Sequence, residues 1–265
     1  MRSVIRFFRL LRAPRLCAAL VFGLPIAACG TGARAQPTAV TEVPFVGCAA
    51  DGQTGPLAAP TFVGAVPTGA IPGAARLAHY EGPHIAVLAP RGWHCFELYG
   101  SGGEAIVVTP EAHDGKDLLY GKSSVTGPIV QLSHLDGGTS GRFGVARIAA
   151  RLFPIARTFV QQVIDEGLEP KQDFPFGPFP TDHLTRRSDT VVEFTTPAHS
   201  EGIGLTGYAA RGDLPISGVV ILMPDDDMDL IKLNVRLPLE MGALAKDVIA
   251  ATERDRGVPR IANPR

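Results

Sequence analysis

Two cysteines, Cys48 and Cys95, constrain this chain more than any other feature. Of the other two, Cys17 lies in a stretch that reads as an export signal and Cys29 at its cleavage site, so only this pair is expected inside the folded part. Exported compartments are oxidising, and there an even pair of thiols is usually bridged whereas a free thiol is open to oxidation. A bridge would pin the turn-rich residues 47–55, poor in apolar surface, onto the stretch Trp93–Tyr99. The alternative is two separate buried thiols. Cα atoms more than about 7 Å apart would rule the bond out.

The export reading rests on residues 1–28. Arg2, Arg6, Arg9, Arg12 and Arg15 form a basic head, and residues 16–28 an apolar run too short to cross a bilayer comfortably. Gly23 and Pro25 break any reading of this run as a buried helix. Ile26-Ala27-Ala28-Cys29 has the small-small-Cys form of a lipoprotein box, with Cys29 as the lipidation site. Ala33-Arg34-Ala35 is a competing site for ordinary signal peptidase. A signal peptide over 1–28 (alternative end 35) is therefore expected. The mature chain would be tethered to the membrane by a lipid on Cys29, in the outer membrane or periplasm, or else secreted as a soluble protein.

Gly (30) and Pro (23) together break the chain into short elements and turns. A flexible lead-in is expected over 36–45, a single α+β domain over 46–256 and a frayed tail over 257–265. Residues 48–56 read as a loop and Pro72–Tyr80 as a short helix. Ile85–Leu88, Trp93–Tyr99 and Ala105–Thr109 read as strands of an antiparallel meander, which Leu118–Tyr120 and Ile129–Leu132 could extend. Over 142–166 the period becomes helical, with Val145, Ala149, Leu152, Ala156, Val160 and Val163 on one face. Pro154 predicts a kink or two helices in sequence, and Gly167 a stop.

The Phe/Pro/Gly-rich residues 173–188 read as a stiff extended loop. Strand signals return at Thr190–Thr195, Gly204–Ala209, Ile216–Met223 and Leu230–Leu237. In the last, Ile231, Leu233, Val235 and Leu237 alternate with Lys232, Asn234 and Arg236, the pattern of a half-buried strand with a solvated face. Pro238 opens a final helix. The expected fold is an antiparallel sheet of short strands, with a Pro-kinked central helix pair and a C-terminal helix packed on it.

A formal net charge of −1 argues against a nucleic-acid partner, which needs a basic face. The seven histidines show no zinc-site spacing, and Asp225, Asp227 and Asp229 lack the glycine and glutamate of a calcium loop, so no metal or other cofactor is expected. His94 followed by Gly138-Thr139-Ser140-Gly141 superficially resembles a serine-protease pair. Only 46 residues separate His94 from Ser140, too few for that topology, and the Gly/Ser loop is better read as capping the following helix. No catalytic set stands out. Candidate binding residues are Arg91, Trp93 and His94, together with Arg147 and Arg151, which sit one helical turn apart and could clamp an anion.

Three further blocks accompany Pro90-Arg91-Gly92-Trp93-His94-Cys95-Phe96 and Tyr99-Gly100-Ser101-x-Gly103. They are Cys48-Ala49-Ala50-Asp51-Gly52-Gln53-x-Gly55-Pro56, Phe174-Pro175-Phe176-Gly177-Pro178-Phe179-Pro180 and Leu214-Pro215-Ile216-Ser217-Gly218-Val219. On these blocks the chain resembles a family of uncharacterised secreted or lipid-anchored bacterial envelope proteins. The resemblance implies one co-linear domain from about Val46 to Ala251 and carries no mechanism. The expected function is that of a non-catalytic binding or structural lipoprotein with an envelope partner or ligand. The alternative is an envelope hydrolase with a site near Arg91, His94 and the Gly100–Gly103 turn.

Overall fold

A computed structural model of the chain describes residues 41–224 and 227–258. The expected signal peptide, Cys29, the first part of the expected lead-in, Asp225, Asp226 and most of the expected tail lie outside the described residues. The strands are β1 (Glu42–Gly47), β2 (Ala50–Gly52), β3 (Ala65–Pro67), β4 (Leu77–Glu81), β5 (Ala86–Pro90) and β6 (His94–Gly100). They continue with β7 (Gly103–Thr109), β8 (Ile129–Leu135), β9 (His183–Arg186), β10 (Val191–Thr196), β11 (Ile216–Met223) and β12 (Asp229–Arg236). The helices are α1 (Gly115–Leu119), α2 (Arg142–Leu152), α3 (Arg157–Asp165) and α4 (Leu244–Asp255). The class is α+β, with sheets of mostly antiparallel strands and α4 packed on a sheet.

The strands form an eight-stranded sheet in the order β2-β6-β7-β8-β12-β11-β10-β9 and a four-stranded sheet in the order β3-β1-β4-β5. Because side chains alternate across a strand, the large sheet feeds two cores. Val108, Leu132, Val219, Ile231 and Leu233 join α4 and the small sheet on one side. Val107, Val192, Val220, Leu222 and Leu230 join α2 and α3 on the other. Ile216–Met223 is apolar almost throughout because both of its faces are buried.

Pro154 divides the central helical region. Phe153 is extended, Pro154–Ala156 makes one 3-10 turn, and α3 follows. Val145 and Ala149 before the proline and Val160 and Val163 after it bury in the same core, so the apolar stripe stays in register. Gly167 ends the region at φ +66°, its amide bonded to the Ile164 carbonyl at 3.1 Å.

Cys48 and Cys95 are bridged, with Cα atoms 5.4 Å apart. Cys48 directly follows β1 of the small sheet and Cys95 lies on β6 of the large one, so the bond staples the two sheets. The Cys48 amide donates to Glu81 O at 2.8 Å and the Glu97 amide to Ala49 O at 2.9 Å, which continues the splice in backbone.

Several local expectations are corrected, most of them by tertiary pairing that no local pattern reveals. The expected flexible lead-in contains most of β1, which lies between β3 and β4 with Val43 buried. The supposed loop at 48–56 contains β2, a parallel edge strand on β6. Of Pro72–Tyr80, only Ala74–Arg76 is helical, as one 3-10 turn; the rest is β4, drawn out by pairing with β1 and β5. β5 belongs to the small sheet and not to the β6-β7-β8 meander. Leu118–Tyr120 extends no sheet: Asp114 caps α1 there by accepting from the Lys116 amide at 2.8 Å. The Gly138–Gly141 loop gives α2 no side-chain cap. Within 173–188 the stiff loop gives way to β9, which pairs with β10.

Candidate functional site

The stretch around Arg91 is built first by a buried tyrosine. Tyr80 Oη donates to Pro90 O at 2.7 Å and accepts from the Trp93 amide at 2.9 Å, which sets the turn from β5 into β6. Burial pushes the Tyr80 phenol above its ordinary pKa. Arg91 is exposed on this turn, Trp93 is half-buried against the core, and His94 is exposed. Trp93, His94, Cys95 and His113 line a hollow of about 300 Å³ beside the disulfide.

The residues suggested for a hydrolase do not converge. Arg91 and His94 sit at one end of β6 and the Gly100–Gly103 turn at the other, about 20 Å away at 3.3 Å per residue. Ser140 hydrogen-bonds Ser101 at that far turn, at 3.0 Å between their oxygens. A buried carboxylate does lie on β6, but Glu97 accepts from the His84 and Ile85 amides at 3.1 and 3.4 Å and contacts the His84 ring. It points to the opposite side of the strand from His94.

Arg147 and Arg151, by contrast, share a cleft. Both lie on α2 and line a cavity of about 560 Å³ between that helix, residues 172–179, residues 202–208 and the face of the large sheet. Arg147 is ion-paired with Glu169. Arg151 Nη1 donates to Gly177 O at 3.1 Å, and its guanidinium lies 4.1 Å from the centre of the Phe179 ring. Leu135, Ile148, Phe179, Ile203 and Leu205 supply apolar lining, and Gln131, Ser133 and Lys232 reach the cleft from β8 and β12.

The sequence analysis placed Lys232, Asn234 and Arg236 on a solvated strand face, and all three are buried. Their face of β12 lies beneath the 204–210 segment, which they hold by its carbonyls. Lys232 Nζ donates to Leu205 O at 3.3 Å, Asn234 Nδ2 to Gly204 O at 3.0 Å and Arg236 Nη2 to Ala210 O at 2.5 Å. Arg236 Nη1 also donates to Thr126 O. Gly204–Ala209 is consequently not a strand of either sheet. It crosses the sheet face, touching one neighbour only through the isolated Val125–Ala209 bridge.

Lys232 is the most perturbed group of the cleft. Burial pushes its ammonium down to about 7, with the charge of Asp182 opposing. The Asp182 carboxylate is itself occupied, accepting from Thr196 Oγ1 at 2.6 Å and from the Ile203 amide at 2.8 Å. Among the described residues no carboxylate makes an ion pair with Lys232. Beside it, Gln131 Nε2 donates to Ser133 Oγ and Thr206 Oγ1 donates to Gln131 Oε1, both at 2.8 Å. Tyr208 at the same wall has its phenol raised by burial.

Among the described residues no group of three or more His, Cys, Asp or Glu side chains could hold a metal ion. No helix of the described residues is long and apolar enough to cross a membrane. Asp229, once weighed as a calcium ligand, instead accepts from the Gly137 amide and bonds the His134 ring. Lys232 went unrecognised because a lysine alternating with aliphatic residues is the ordinary mark of a water-facing strand. One signal pointed the other way: the preceding run Gly218–Leu222 is apolar at every position after the glycine. Such a run belongs in the middle of a doubly covered sheet, where its partner strand is covered too. The chain matches no family model, no curated protein and no solved structure.

Proposed function

We propose that this chain is an exported envelope protein of the binding kind and that its ligand occupies the cleft over Lys232. One observation carries the reading: a lysine buried to the level of the core reaches that cleft with no carboxylate partner among the described residues. A buried, unpaired ammonium is costly, and a ligand group that completes its bonding accounts for keeping it there. The neighbouring polar groups support a binding role. Gln131 spends its hydrogen bonds on Ser133 and Thr206, and Asp182 behind them on Thr196 and Ile203, so these groups hold the wall of the cleft in place.

The disulfide supports export, since such bonds persist in oxidising compartments. Anchoring through an acylated Cys29 rests on the sequence. The mass of the native N-terminal peptide tests it: an acyl-modified Cys29 is expected, and an unmodified chain starting at Gln36 would sink the anchor. For the cleft itself, an apolar fluorophore such as N-phenylnaphthylamine should bind the purified protein. Binding should be lost when Ile148→Trp fills the space beside α2. Equal binding by the filled variant would place the apolar site elsewhere and overturn the assignment.

A further inference from the structure

We infer that the ligand of this cleft is a small amphipathic monocarboxylic acid, bound with its carboxylate inward on Lys232 Nζ and its aliphatic part against Ile148, Phe179 and Leu205. This rests on the cleft being the ligand site, and deepens that reading from a place to a chemical class.

Three observations select the class. First, an ammonium has three N–H donors, and Lys232 spends one on Leu205 O. Two remain, which suits the two oxygens of a single carboxylate. Second, the charge balance favours a monoanion. Arg147 is already neutralised by Glu169, Arg151 is turned onto Gly177 O and the Phe179 ring, and the exposed Asp173 adds a carboxylate to the lining that disfavours further negative charge. One buried cation is therefore left for the ligand, and a phosphate dianion would bring a second buried charge with no partner. Third, the remaining lining is largely aliphatic and aromatic, and about 560 Å³ is ample for a short alkyl chain, within the range of roughly 300–1,000 Å³ of small-ligand pockets.

The opposite polarity, tail inward and head at the rim, would leave the ammonium facing hydrocarbon. It would do so where desolvation already penalises the charge. An amine or alcohol of the same length would fill the same volume without supplying the missing anion. The head group is thus the discriminating part of the ligand and the chain length sets the strength.

Competition against N-phenylnaphthylamine near pH 6 tests this, using decanoate, octanoate, decanol and decylamine with the wild type and Lys232→Met. In the wild type, decanoate should bind at least tenfold more tightly than decanol, with decylamine weakest. Octanoate should fall about fifteenfold below decanoate for the two lost methylenes. Lys232→Met should abolish the preference for the acid over the alcohol. Equal binding of decanoate and decanol by the wild type would overturn the head-group assignment and leave the cleft reading standing; it needs no variant to fold. Survival of the preference in folded Lys232→Met would overturn it as well. Failure of every aliphatic probe to compete would overturn the cleft reading and this inference with it.

Discussion

Replacing Lys232 by methionine should stabilise the empty protein in acid and lose that advantage as the pH rises. Methionine keeps the length of the side chain and removes the charge. The folded state holds the amine at about 7 against an ordinary 10.5, so over that interval the unfolded chain binds a proton that the folded chain does not. Stability of the wild type therefore rises with pH from about 7 towards 10.5, and the whole penalty is present below 7. At 1.36 kcal/mol per pKa unit, the difference of 3.5 units between those two values corresponds to a full penalty of about 5 kcal/mol. Between pH 6 and pH 9, linkage gives a change of about 3 kcal/mol in the stability difference between variant and wild type. Losing the bond that even the neutral amine makes to Leu205 O costs the variant about 1 kcal/mol at either pH; the extra strength of the charged bond is already contained in the folded pKa, so the change with pH isolates the protonation. Urea unfolding followed by fluorescence of Trp93, the single tryptophan, measures both proteins with the disulfide intact. A stability difference equal at pH 6 and pH 9 would show that the amine is not desolvated in the folded state, and the reasoning about the cleft would fall with it.

Other perturbations follow from the same structure. His134 is held between Glu104 at 2.8 Å and Asp229 at 3.1 Å, and these bonds raise its pKa. The stability it contributes should be fully present below about pH 6.5 and lost as pH rises through the higher folded value. An NMR titration of the ring with a midpoint at or under 6.5 would contradict this. Replacing Cys48 and Cys95 by serine opens a link across 47 residues and should lower stability by about 4 kcal/mol by loop entropy; an unchanged denaturation midpoint would count against the staple. Gly103 has φ +122°, and a Cβ there would sit 2.0 Å from His134 O. Gly103→Ala should therefore cost about 1–3 kcal/mol for the backbone alone, with the clash added, read as a fall in melting temperature.

What the sequence determined by itself were properties that local chemistry controls. An expected export signal and the two thiols left outside it implied the Cys48–Cys95 bond. The missing amide of Pro154 split the central helix, and Gly167 ended it through a backbone conformation that other residues seldom adopt. Helical period placed Val145 to Val163 on one buried face, and β-branched runs gave β7, β10 and β11. Tertiary structure alone decided which strands pair and which side of each strand meets water. Leu77–Glu81 became a strand because β1 and β5 flank it. In β12 the alternation was legible, but alternation says only that two faces differ. The polar face of Lys232, Asn234 and Arg236 was closed by residues 204–210, more than 20 positions away in sequence. A side chain's solvation depends on what covers it, and that cover comes from a distant part of the chain. The buried lysine, and the cleft argued from it, exist only in the folded molecule.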